Sequence, residues 1–145
     1  MKVSTKGRYA LRMMIDLAEN NKGQYIALKE VSLRQGISLK YLEQIVTALS
    51  KAGLISSLRG PFGGYMLVKE PSDYTIGSII RATEGDLAPV SCLKDEINEC
   101  DRVGTCPTVD FWSGLYEAIN QYVDSVTLED LLNKQKSKRP PEYNI

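Results

Sequence analysis

Cys92, Cys100 and Cys106 are the side chains here best suited to soft-metal or redox chemistry, separated by seven and five intervening residues. No Cys-x-x-Cys pair occurs, so the spacing of a zinc ribbon or a redox dithiol is absent. Three thiolates on one flexible segment can converge on a soft centre, and iron–sulfur clusters prefer thiolate. Chemistry alone leaves open unligated thiols, cluster ligands and, behind both, zinc. The chain has no histidine at all, which removes Ser–His and Cys–His nucleophilic pairs and two-histidine metal sites. It also lacks a phosphate loop, and no enzymatic activity is expected.

A second constellation is electrostatic. The formal charge is zero, with 18 Lys plus Arg against 18 Asp plus Glu, but the signs are segregated. Residues 1–60 hold 10 basic and 4 acidic side chains, +6; residues 61–145 hold 8 and 14, −6. One half is suited to meeting a polyanion.

The elements that position these groups follow from periodicity. Leu11, Met14, Ile15 and Ala18 recur at helical spacing, so residues Ser4 to Asn20 read as an amphipathic helix. A short helix fits Leu28 to Arg34 and breaks at Gln35-Gly36. A third opens at Ser38, an N-cap, with Leu42, Ile45, Val46 and Leu49 inward and Lys51-Ala52-Gly53 as its stop. The β-prone runs Leu54 to Leu58 and Tyr65 to Val68 flank Arg59-Gly60-Pro61-Phe62-Gly63-Gly64, a hairpin with a glycine-rich tip. A helix over Thr75 to Thr83 follows. The stretch Gly85 to Pro107 has no sustained period and carries every cysteine; such long loops are functional or disordered.

The last large helix begins near Thr108 and presents Trp112, Leu115, Ile119, Tyr122 and Val126, with Phe111, Tyr116 and Val123 beside them. That alternation of three and four is a seam for another helix, and the same helix of a second subunit is the expected partner. Thr127 caps a terminal helix over Leu128 to Asn133, and a loose tail is expected from Lys134 onward. The expected fold is therefore mainly α with a small β-hairpin wing. Its parts are a winged helix-turn-helix DNA-binding domain over residues 1–84, a cysteine loop over 85–107, a dimerisation helix region over 108–133 and a flexible tail over 134–145.

Helix-turn-helix spacing is visible in Val31, Ser32, Gly36, Ile37, Leu42 and Ile45, and the hairpin directly after it makes the motif a winged helix. Ser38, Lys40, Tyr41, Glu43 and Gln44 lie off the inward stripe and are candidate base readers; Gln44 suits adenine and Glu43 suits cytosine N4. Arg59 and Gly60 are candidate wing contacts, since Arg is favoured in a narrow minor groove. With 145 residues, 43% hydrophobic and 25% charged, the chain fits one globular domain with a small appendage. No apolar run approaches the ~18 residues of a membrane span and the first residues lack a signal-peptide core, so a cytoplasmic protein without membrane contact is expected.

The opening Ser4-Thr5-Lys6-Gly7-Arg8-Tyr9-Ala10, the run Gln35-Gly36-Ile37-Ser38-Leu39 with Tyr41-Leu42-Glu43-Gln44, the wing Arg59-Gly60-Pro61-Phe62-Gly63-Gly64-Tyr65 and the three cysteines resemble the IscR-like iron–sulfur cluster regulators. These are winged-helix transcription repressors, and the similarity spans about residues 1–133. The resemblance implies a homodimer on an operator in double-stranded DNA, with a [2Fe–2S] cluster on Cys92, Cys100 and Cys106. It also implies repression of cluster-assembly genes when the cluster is present. Ser38, Lys40, Tyr41, Glu43, Gln44 and Arg59 fall on the family's DNA-contacting positions, with Lys40 replacing a typical serine.

The departures concern the cluster. Valine at position 109 stands where these regulators place a histidine ligand, and the first cysteine interval is seven residues where they have five. Asp110, Asp101 or Glu99, an external thiol or water are the substitutes for a fourth ligand; relatives that take a carboxylate near position 8 are not matched, because Arg8 and Arg12 stand here. The expectation is a cluster on three thiolates with a weak fourth ligand. The alternative within the same family is a regulator of the nitric oxide response or of cysteine metabolism, acting through a bound metabolic enzyme and without a cluster.

Overall fold

A computed structural model describes residues 2–140 of the chain. Helix α1 (Thr5–Glu19) starts where Ser4 Oγ accepts from the Gly7 amide at 3.3 Å. Its fully buried apolar residues are Ala10, Met13, Met14 and Leu17, rotated by about one position from the stripe read in the sequence. The reason is position: α1 is central, so Leu11, Ile15 and Ala18 pack against the same core from its flanks.

Helix α2 (Leu28–Gln35) and helix α3 (Leu39–Lys51) are joined by Gly36 at φ 65°, a left-handed conformation that a side chain disfavours. Ser32 Oγ donates to the Ile37 carbonyl at 2.6 Å across the turn. Ser38 accepts from the Tyr41 amide at 3.2 Å and caps α3, whose Leu42, Ile45, Val46 and Leu49 are buried. The turn is also braced from α1. Asp16, 1% exposed, receives Arg34 at 2.8 and 3.0 Å and the Gln35 amide group at 2.9 Å. A carboxylate so buried is tolerated because its oxygens are paired, and without Arg34 the Gln35 amide group would be left as its side-chain donor.

Strands β1 (Ile55–Leu58) and β2 (Gly64–Leu67) pair antiparallel, from Ile55 opposite Leu67 to Leu58 opposite Gly64. The hairpin is fixed to the helical body by a bridge in which Ile26 and Tyr65 exchange backbone hydrogen bonds of 2.9 and 2.8 Å. Gly64 makes this approach possible, since a Cβ there would lie 2.1 Å from the Ile26 carbonyl oxygen. Tyr74, 1% exposed, ties the other end. Its hydroxyl donates to the Leu54 carbonyl at 2.7 Å and accepts from the amides of Val68 and Lys69 at 2.9 and 3.3 Å.

Helix α4 (Ile76–Glu84) is capped by Thr75 and buries Ile76, Ile79 and Ile80. From Gly85 to Thr108 the regular structure is one 3₁₀ turn, Ser91–Leu93, followed by hydrogen-bonded turns. Helix α5 (Val109–Ser125) then packs across α4. Helix α6 (Leu128–Ser137) begins with a capping box between Thr127 and Asp130. It extends four residues beyond the boundary read in the sequence, because Gln135 bonds Glu19 of α1 at 2.7 Å and Arg139 pairs with the same carboxylate. Of the expected loose tail, residues 141–145 lie outside the described residues. Among the described residues no helix is long and apolar enough to cross a membrane.

Candidate nucleic-acid interface and cysteine segment

The face of α3 opposite its buried stripe carries Ser38, Lys40, Glu43 and Gln44, all exposed, and Arg59 and Gly60 are exposed on the wing. Two of the residues read as base contacts have structural work as well. Ser38 spends its hydroxyl oxygen on the α3 cap. Tyr41 is half-buried, and its ring meets that of Tyr9 edge-on with centroids 5.5 Å apart. The Arg12 guanidinium lies 5.1 Å from the centroid of the Tyr9 ring and donates to the Gln35 carbonyl, so its cation is tied to the helix-turn-helix rather than to the cysteine segment. Lys40, Glu43, Gln44 and Arg59 remain as side chains with polar ends directed to solvent. Their mixture of one carboxylate among cations suits recognition of base edges within a phosphate-lined groove.

Along α5 the stripe read in the sequence divides between two faces. Ile119 and Val126 pack against the protomer's own core together with Tyr116 and Val123, because α4, the short helix expected over Thr75 to Thr83, lies against α5 where a second subunit was expected. Leu115 and Tyr122 lie along the flank of that face and are 39% and 71% exposed, with Phe111 at 66% on the same side. Trp112 is half-buried at the border, its ring 4.9 Å from that of Phe111. The outward apolar strip is therefore Phe111, Leu115 and Tyr122.

The α4–α5 contact includes a polar clamp absent from the sequence reading. Arg81 donates to both carboxylate oxygens of Asp124 at 2.7 and 3.0 Å and to Asn120 at 2.8 Å. The guanidinium holds the Asp124 carboxyl below the usual carboxylate range, against a smaller opposing effect of burial. An arginine and an aspartate 43 positions apart give no local signal; Tyr74, with its three backbone partners, was equally invisible.

The cysteines are on the expected segment but apart. Cys92 and Cys100 border one shallow depression with Asp95 and Glu99. Cys106 does not line it; its sulfur lies 3.4 Å from Thr108 Oγ1, and that contact lowers its thiol pKa from the ordinary value. Among the described residues no three Cys, Asp or Glu side chains are grouped closely enough to hold a metal ion. Val109 is half-buried at the first position of α5 and has no donor atom. As arranged here, these residues do not fit an iron–sulfur cluster.

Residues 3–134 match the model of the Rrf2 family, described as iron-dependent transcriptional regulators. The HTH-type transcriptional regulator CymR of Bacillus subtilis is 43% identical over 131 residues, 90% of this chain and 89% of that protein. The HTH-type transcriptional regulator IscR of Yersinia pseudotuberculosis is 38% identical over 135 residues, covering 93% and 81% of the two chains. Among solved structures, that of CymR, titled the global cysteine regulator of B. subtilis, superposes with a TM-score of 0.74 over 92% of this chain and 98% of its own. The structure of T. potens IscR gives 0.75 over 99% and 95%, at 38% identity. The winged helix-turn-helix, the hairpin and the order of helices thus have their counterparts in proteins that share more than a third of these residues, and the chain belongs to the Rrf2 family of transcriptional regulators.

Proposed function

We propose that this protein is a homodimeric repressor that holds operator DNA with α3 in a major groove and the β1–β2 wing against the neighbouring minor groove. The observation that carries the reading is the split of α3: Leu42, Ile45, Val46 and Leu49 are buried, while Lys40, Glu43 and Gln44 are exposed beside a wing bearing Arg59. The outward strip Phe111, Leu115 and Tyr122 supports pairing through α5 in a two-fold dimer, which would set the recognition helices near one duplex turn, about 34 Å, apart. Binding is tested by titrating labelled duplex DNA at several salt concentrations. A regulator of this charge distribution loses affinity steeply with salt, and a flat response counts against the assignment.

The signal enters through residues 85–107 in this reading. The separation of the three thiols and the valine at position 109 favour a cluster-free regulator of cysteine metabolism, as does the similarity to CymR. Partnership with a metabolic enzyme belongs to the same reading. A [2Fe–2S] sensor that controls cluster-assembly genes is the second, favoured by three cysteines on one turn-rich segment. It requires that segment to draw Cys92, Cys100 and Cys106 together. Protein purified without oxygen separates the two: colourless and free of iron and sulfide under the first, coloured with stoichiometric iron and sulfide under the second.

A further inference from the structure

A phenylalanine stands at the tip of the wing with almost no protein around it. Phe62 is 89% exposed, more than Leu33, Ile97 or Tyr122, the next most exposed large apolar side chains described. Single exposed aromatics are ordinary on protein surfaces. What distinguishes this one is its mounting. Gly63 donates to the Gly60 carbonyl at 3.0 Å, closing a tight turn around Pro61 and Phe62, and the proline ring fixes its own φ. Below the turn, the hairpin is pinned to the body by the Ile26–Tyr65 bridge. The ring is thus carried on a stiff pedestal and sacrifices little conformational freedom when it makes contact.

From this arrangement we infer that Phe62 is a further DNA-contacting residue, placing its ring against the sugars and base edges of the minor groove beside Arg59. The inference rests on the DNA-binding reading above and deepens it. Two observations favour DNA over a protein surface as the occupant. The ring follows the end of the +6 half of the chain by two residues. Arg59, three residues away and exposed, supplies the cation that a narrow minor groove attracts. Apolar side chains at such tips wedge into the minor groove and partly unstack a base step. Specificity then falls on deformable pyrimidine–purine steps rather than on a hydrogen-bond pattern.

The test uses the full chain and a duplex enriched from random-sequence DNA by the wild-type protein. Phe62→Ala should bind this duplex about tenfold more weakly. The slope of log affinity against log salt should stay that of the wild type, because no phosphate contact is lost. Phe62→Leu should recover most of the affinity. Hydroxyl-radical footprinting should show minor-groove sugars under the wing protected by wild type and open with Phe62→Ala, the rest of the footprint being unchanged. Equal affinity and footprint for Phe62→Ala and wild type overturn the inference and leave the ring to a protein partner. A loss accompanied by a reduced salt slope overturns it too, since that would report a displaced cation. If wild type shows no salt-dependent binding to any duplex, the DNA-binding reading itself falls and takes this inference with it.

Discussion

Arg81 of α4 and Asp124 of α5 join their helices through a two-pronged ion pair at 2.7 and 3.0 Å. Beside it, Ile76 donates to the Val126 carbonyl at 2.9 Å and Leu128 to the Tyr74 carbonyl at 3.0 Å, so side chains and backbone fix the same angle. The Arg81 and Asp124 side chains are 34% and 44% exposed and water screens them, so Asp124→Asn should cost only about 0.5–1 kcal/mol at neutral pH. The pair has a pH signature. The folded carboxyl is held below its ordinary value, so its contribution is present above the unfolded pKa, about 3.9, and fades as pH falls through the folded value. Urea denaturation should show wild type and Asp124→Asn separated at pH 7 and converging toward pH 3.

Gly77 offers a sharper probe of the same joint. A Cβ there would lie 2.1 Å from Asp124 Oδ1, 2.7 Å from the Arg81 guanidinium and 3.0 Å from Val123. Gly77→Ala should therefore drive Asp124 and Arg81 out of their pairing, crowd Val123 and cost about 1–3 kcal/mol despite the helix preference of alanine. If α5 sets the distance between two recognition helices, affinity for a two-half-site operator should fall more than affinity for a single half-site. A melting temperature equal to wild type would mean that the joint yields without strain.

Tyr74 is the corresponding tie for the wing. Replacing it with phenylalanine leaves the Leu54 carbonyl and the Val68 amide short of a buried partner, which should cost about 1–3 kcal/mol. Burial pushes the phenol pKa up, against the lowering effect of the two amides that donate to it. The hydroxyl therefore stabilises the fold below the unfolded pKa of about 10, and the benefit is lost as pH rises through the folded value. The stability gap between wild type and Tyr74→Phe should narrow above pH 10.

Local signals in the sequence were sufficient wherever one residue type decides one turn of chain. Ser38 and Thr127 cap helices as their types require, Gly36 takes the left-handed turn, and the hairpin sits between the two β-prone runs. The winged fold follows from that order of elements. What the sequence hid is long-range. Ile119 and Tyr122 belong to one apolar repeat, and only the packing of α4 decides that one faces inward and the other outward. Arg81 with Asp124, and Glu19 with Gln135, pair across the fold between positions that no periodicity links. The cysteines show the same limit. Their spacing names the segment, while turns such as Val103 to Cys100 decide where each sulfur lies.

On the recognition face, Lys40 and Glu43 should separate affinity from specificity. Lys40→Ala is expected to weaken binding across all sequences and to lower the salt slope by about one, as for the loss of one phosphate contact. Glu43→Ala removes a carboxylate that phosphates repel and that can accept from cytosine N4–H, so affinity for non-cognate DNA should rise while discrimination at one base pair falls by about 1–3 kcal/mol. Competition binding over a set of single-base operator variants reads both. A uniform loss for Glu43→Ala would place it outside the groove.

The two faces of α5 make opposite predictions. Leu115 and Tyr122 are outside the protomer core, so Leu115→Asp with Tyr122→Asp should leave helix content and the melting transition of the monomer intact while placing charges where a second copy must pack. Sedimentation equilibrium should then give a single-chain mass, and DNA affinity should drop to that of one half-site. Ile119→Asp places its charge in the partly buried contact of α5 with the protomer's own core and should lower the melting transition of the single chain rather than merely separate two copies. A folded monomer from Ile119→Asp and an intact dimer from the double variant would move the subunit contact to the inward side of the stripe. The α4–α5 joint would then be a surface that opens on assembly.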